Sequence, residues 1–206
     1  MHIHLMKFSP ENGAAPQVRA VLEKRLETIG KTGKRGSIRQ QVAFGDDGPT
    51  IEMSVINDSL ADFQAHRETN RANPILNELK DYIRKPPSNS LTETFVMPDP
   101  DNRLKAPYFA QRATVIPKVG QNIQPLLLER AIKQNEKGVR TVFGHVIYGR
   151  KPRGFVLATQ LQDLNALEEY RNGLKTDESF RQLARNLGEV ALGIEYELWE
   201  IVTTTI

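Results

Sequence analysis

His145 is the residue of this sequence best suited to moving a proton near neutral pH, because imidazole alone among its side chains titrates there unperturbed. It sits mid-strand between Phe143 and Ile147, on an otherwise apolar face. Two readings stand: a catalytic acid–base group, or a core histidine satisfied by a neighbouring backbone or hydroxyl group. Arg112 lies in the mild segment FAQRATV. A buried arginine there needs a carboxylate, either a ligand's or a structural one from Glu195, Glu197 or Glu200. Tyr108 and Tyr148 could each give a substrate a hydrogen bond. Strand parity sets Tyr148 on the face opposite His145, so these groups cannot all share one pocket.

The other histidines carry less. His2 and His4 are two apart on a strand and share a side, a spacing that can hold a metal, but no third ligand is visible. His66 reads as a surface or edge residue of a helix. No phosphate-cradling glycine loop, zinc motif or nucleophile elbow occurs. The absence of cysteine removes disulfides and thiolate chemistry and fits a cytoplasmic protein. A net charge of +3, with basic and acidic residues interspersed, argues against a nucleic-acid partner. No apolar run reaches membrane-spanning length.

The elements that must position these residues come twice. His2–Phe8 alternates as a strand, and Val18, Val21, Leu22, Leu26 and Ile29 form one face of a helix. Two strands follow, Ser37–Phe44 and Thr50–Asn57, around the GDDGP turn of residues 45–49. A helix opens at Ser59, another at Asn73-Pro74, and a strand runs over Leu91–Met97. The proline-rich stretch Pro98–Pro107 reads as a linker. The order then repeats: strand Tyr108–Ile116, helix Ile123–Ile132, strands Thr141–Tyr148 and Phe155–Leu161 around GRKPRG, helices from Asp163 and Asp177, and a last strand. Leu60 meets Leu164, Arg67 meets Arg171, Gln41 meets His145 and Phe95 meets Trp199, each 104 positions on.

The predicted architecture is α+β: two tandem ferredoxin-like βαββαβ units, residues 1–97 and 108–206 with linker 98–107. Strands apolar on both faces predict that the two sheets lie face to face.

The V-x-P-x-x-G turn (Val115–Gly120), the D-x-x-A-L-x-x-Y-R helix (Asp163–Arg171), D-E-S-F (Asp177–Phe180) and Y-E-L-W-E-I (Tyr196–Ile201) resemble the dimeric α+β barrel superfamily, in its NIPSNAP-like branch. The second half matches well and the first more loosely. The resemblance implies a dimeric α+β barrel made within one chain. It further implies a small apolar or aromatic ligand in an apolar pocket between sheet and helices, no required cofactor, and chemistry of the oxygenase or isomerase kind. The alternative is a non-catalytic binding or scaffold module. A haem role is a third reading, with His145 as its ligand. Further homo-oligomerisation through outer surfaces stays open, and any pocket is expected in the second half more than the first.

Overall fold

A computed structural model of the chain describes residues 1–42, 48–71, 74–99, 103–149 and 154–205. Eight antiparallel strands close into one barrel: β1 (His2–Phe8), β2 (Gly36–Gln41), β3 (Ile51–Asn57), β4 (Ser88–Val96), β5 (Tyr108–Pro117), β6 (Thr141–Tyr148), β7 (Phe155–Leu161) and β8 (Ala191–Thr204). Their order around the barrel is β1-β3-β2-β8-β5-β7-β6-β4. Strands of the first half run β4-β1-β3-β2 and those of the second β8-β5-β7-β6. They join edge to edge at two seams, β2 with β8 and β4 with β6. The two sheets are therefore continuous walls of one barrel, joined by hydrogen bonds along their edges.

Helices cover the outside. α1 (Ala15–Gly30) begins with Pro16 in its first turn and buries Val18, Val21, Leu22, Leu26 and Ile29. This stripe packs on Met6, Phe8, Ile38, Ile51, Met53 and Val55, the outward side chains of β1, β2 and β3. α2 (Leu60–Arg71) follows, and Ser59 Oγ accepts from the Asp62 amide at its start (3.0 Å). The segment Pro74–Asp81 is a 3₁₀ helix, tighter than the α-helix the Asn73-Pro74 start predicts, and it buries Leu79. α3 (Gln124–Glu136), α4 (Leu164–Thr176) and α5 (Glu178–Val190) flank the second half. Asp163 and Asp177 cap α4 and α5, accepting from the amides of Ala166 (2.8 Å) and Ser179 (2.9 Å). Ile123, Leu127 and Ala131 meet Phe180, Leu183 and Leu187 over Ala113, Val115, Phe143 and Leu157. No described helix is long and apolar enough to cross a membrane.

Two expectations change. The hairpin turns read at 45–49 and in GRKPRG fall largely on residues outside those described, as do Phe44 and Asn73. And one register of 104 residues does not hold throughout: Phe95 lies outside the barrel, 5.5 Å from the Phe143 ring, whereas Trp199 is fully buried against lumen groups. An odd slip in register reverses which face a strand residue occupies, so the match of these two aromatics by position misassigned one of them.

Candidate functional site

The strand faces turned away from the helices mix charged and polar groups with apolar ones such as Ile3, Leu5, Val142, Val146 and Ile201, and are not the uniformly apolar faces that the strand patterns suggest. Lys7 on β1, Arg39 on β2, Glu52 on β3, Arg112 on β5 and Glu197 and Trp199 on β8 all project into the lumen. An eight-stranded barrel has room inside for side chains and one small ligand. Here the side chains form a charged layer that leaves a cavity toward each end.

Arg112 is the centre of that layer. Its Nη1 and Nη2 donate to the two Glu52 oxygens at 2.9 and 3.0 Å, and its Nε donates to Glu197 Oε2 at 2.7 Å. Arg39 completes the cluster, its Nε donating to Glu52 Oε2 at 2.8 Å. Trp199 forms the floor: the Arg112, Arg39 and Lys7 cations lie 4.9, 5.5 and 5.9 Å from its ring centre. The Trp199 indole N–H is buried without a partner among the described residues.

The electrostatics follow from this pairing. Burial alone would raise the Glu52 pKa, but the Arg112 and Arg39 guanidinium groups outweigh it and hold the carboxyl at about 2. Burial opposes the Arg112 charge too, and Glu52 and Glu197 more than restore it. Arg112 is thus an ionised group saturated by this chain's own carboxylates. Of the roles read for it, the structural pairing with Glu197 is seen, and Glu52 is a partner that the sequence reading missed.

One cavity, of about 170 Å³, lies beside Arg112 and is lined by Leu5, Lys7, Glu52, Ser90, Thr92, Thr114, Val146, Glu195 and Glu197 among others. The other, of about 180 Å³, lies toward Tyr108 and is lined by Ile3, Arg35, Arg39, Ile56, Arg103, Leu104, Arg140, Val142 and Ile201 among others. Both draw on both halves of the chain, which corrects the expectation that a pocket belongs to the second half. The helix–sheet interfaces, where an apolar pocket was expected, are instead filled by the clusters around Leu22 and Leu127.

The four residues singled out from the sequence separate into two sets. Tyr108 and Arg112 both face the lumen, toward opposite cavities. Burial raises the Tyr108 pKa, with Arg39 and Arg140 opposing, so its phenol stays a protonated donor. His145 faces the other way, half-buried on the outer surface of β6 with its ring stacked on Phe155 at 4.8 Å. Tyr148, at the end of β6, is 63% exposed. Neither lines a lumen cavity, because the inward positions of β6 are Val142 and Val146. Packing of Phe155, Phe143 and Phe95 on the His145 side leaves the ring beside aromatic side chains and not beside a haem-sized space. The residues present do not fit a haem there.

The histidines thought peripheral turn out otherwise. His66 is buried, accepting from Asn70 Nδ2 at 2.9 Å, with His4 at 6.2 Å between ring centres. His4 is itself held by Asn89 at 3.1 Å. No cluster of three or more metal-ligating side chains occurs among the described residues.

The missed lumen groups had a signal. Arg39 and Glu52 are directly opposed in the β2–β3 ladder. Each is a charge within a predicted strand, which is the mark the sequence offered, although counting back from the turn read at 45–49 would set Arg39 opposite Val55 and not Glu52. Lys7 and Arg140 carried no such mark.

No family model and no curated protein matches the sequence. Solved structures do match in shape. A candidate monooxygenase from Fusobacterium nucleatum superposes with a TM-score of 0.79 at 10% identity, covering 98% of this chain and 93% of that one. An anthrone oxidase-like protein gives 0.65 at 14%, covering 98% and 92%. Chlorite dismutase from Candidatus Nitrospira defluvii gives 0.56 at 10%, covering 98% and 91%. These proteins are members of the dimeric α+β barrel superfamily. At such identities the likeness is one of fold, and the fold this chain has is the closed α+β barrel they share.

Proposed function

We propose that the chain is a small-molecule-binding protein of the cofactor-free oxygenase kind, with the barrel lumen as its site. The observation that carries this is a lumen with two cavities parted by a buried Arg39–Glu52–Arg112–Glu197 layer, in a fold shared with candidate monooxygenases and an anthrone oxidase-like protein. Tyr108 and Arg112 belong to this reading as lumen residues. His145 and Tyr148, on the outside, are left out of it.

The finer architecture belongs to the same proposal. We infer two tandem ferredoxin-like units, 1–97 and 108–206 about the linker 98–107, of NIPSNAP-like type. Strand pairing supports it with offsets that differ by element. Lys7 lies opposite Ser88 as Arg112 lies opposite Glu197, steps of 105 and 109 residues. Glu52 and Val156, both lining the same cavity, are 104 apart. Small slips at the turns explain why a single offset fits only part of the chain.

For an anthrone-type substrate the oxidation balances without a cofactor: a ring CH₂ and O₂ give a ring C=O and water. The substrate supplies all four electrons, and the protein must bind it, exclude bulk water and favour its enolate. A second reading has its own support: no histidine lines either cavity, and Glu52 is held ionised. A lumen without a neutral-range base favours binding without turnover, the non-catalytic module.

Mass spectrometry of material released on denaturing the purified protein tests the first claim. A stoichiometric small molecule is the expected result. Its absence, with no oxygen uptake on adding anthrone, overturns the reading, and a bound molecule without oxygen uptake selects the binding module.

A further inference from the structure

The two ends of the lumen differ in charge, and the difference selects a ligand. The cavity beside Arg112 is lined by both signs: Lys7 and Arg112 with Glu52, Glu195 and Glu197. The cavity at the Tyr108 end is lined by Arg35, Arg39, Arg103 and Arg140 and, among the described residues, by no carboxylate. Resting on the lumen reading above, we propose that this end binds a small organic anion, an apolar or aromatic body bearing one carboxylate or similar oxyanion.

Each part of that ligand has a counterpart. The body fits against Ile3, Ile56, Leu104, Val142 and Ile201 in a space of about 180 Å³. The Tyr108 phenol lines this cavity and is kept protonated by burial, so it can donate to an oxygen of the ligand. The arginines answer the charge. Arg39 already serves Glu52. Arg140 is fixed by Gln160 Oε1 at 3.1 Å and the Asp99 carbonyl at 2.9 Å, and the Asp99 charge reaches it as well. Among the described residues, Arg103 and Arg35 make no ion pair with a carboxylate. Arg103 is exposed at the cavity rim, and the Arg35 side chain donates to Met1 Sδ at 3.8 Å. Like charges gathered around one cavity repel: burial first lowers the Arg140 pKa and Arg103 adds to that in the same direction, against Tyr108 and Asp99, and an anion among them offsets the repulsion. An arginine-to-carboxylate contact is charge-assisted and directional, which a neutral isostere cannot reproduce.

Calorimetric titration of the full chain with benzoate and with benzamide tests the proposal. Benzoate is expected to bind at least about tenfold more tightly than benzamide, more weakly as salt rises. The double variant Arg35→Gln with Arg103→Gln, at exposed and half-exposed positions that folding tolerates, should lower benzoate affinity about tenfold or more. Lys7→Gln, at the other end, should leave it unchanged. Equal binding of benzamide, no benzoate binding at millimolar concentration, or a loss on Lys7→Gln in place of the arginine variant overturns the proposal. Inorganic phosphate competing as well as benzoate would overturn the requirement for an apolar body. Benzamide binding equally well would leave the lumen as a small-molecule site while removing its anion preference, so failure here is distinguishable from failure of the lumen reading.

Discussion

Arg112 and Glu52 meet across the barrel lumen through two parallel N–H···O bonds of 2.9 and 3.0 Å, 60 residues apart in sequence and on strands that are not neighbours. The pair ties β3 to β5 where no ladder does. Its energetic meaning is asymmetric, because a buried ion pair adds little over an apolar isostere, yet removing one member leaves an uncompensated charge. Glu52→Gln would leave Arg112 with Glu197 alone and Arg39 with no close carboxylate. The expected loss is about 3–5 kcal/mol in urea unfolding. A double-mutant cycle with Arg112→Gln should show clear coupling, and additive losses would contradict the pairing.

Acid should unfold the protein in two windows. Arg25 donates to Asn70 Oδ1, which turns the Asn70 amide so that its Nδ2 donates to His66 Nε2. That nitrogen must therefore carry a lone pair, and His66 is neutral in the fold. Burial first, then the charges of His4, Arg25 and Lys34 against Asp62, lower its pKa from 6.5 to about 4. The depressed base protonates more readily when unfolded. Its contribution is present above pH 6.5 and is lost as pH falls from there toward about 4. His4, lowered chiefly by burial, acts in the same direction. Glu52 follows: its stability is present above 4.5 and lost as pH falls toward about 2. Stability measured against pH should fall in both windows, and His66→Gln should flatten the upper one. An unchanged slope in that variant would remove His66 from the explanation.

Trp199 is the chain's single tryptophan and is fully buried in the lumen. Its emission should be blue-shifted and poorly quenched by acrylamide, and it should change when either lumen cavity fills. Trp199→Ala should cost about 3–5 kcal/mol, as for other large buried aromatics, because three cations lose their floor as well. Emission like that of free indole in water would contradict the burial.

How much of this the sequence showed depends on whether the signal was local. Helix faces such as Val18–Leu22–Leu26 and caps such as Asp163 and Asp177 follow from spacing and residue type, and they appear as read. The α+β class was legible in the order of the elements, whereas the repeat predicted two sheets face to face and the barrel came from the family resemblance. The lumen was not legible. Strand alternation tells that two faces differ but not which one meets helices, so Phe143, His145 and Ile147 could be a pocket wall or an outer face. Phe143 decides it, packing with Leu127 and Phe180 beneath the helices. His66 was misread because α2 buries a polar residue against other polar groups, Asn70, His4 and Arg25, a cluster assembled from three segments that no local pattern announces.

Gly144 tests the seam between β4 and β6, one of the two places where the halves join. It pairs with Thr94 beside a register irregularity. A Cβ at Gly144 would lie 2.5 Å from the Glu93 carbonyl oxygen and 2.7 Å from Thr92 Cγ2, closer than such atoms can stand. The backbone oxygen cannot rotate away, so a side chain here must push the strands apart. Gly144→Ala is expected to cost about 1–3 kcal/mol by overpacking, with amide exchange quickening first in β4 and β6. Gly173 supplies the contrast. It lies within α4, and nothing stands within 4 Å of an added Cβ. Gly173→Ala should stabilise by about 0.5–1 kcal/mol, because alanine loses less backbone freedom in a helix. Opposite signs for the two substitutions in one denaturation series are the expected outcome. A Gly144→Ala protein as stable as the parent would mean that the two strands are not held at the spacing described.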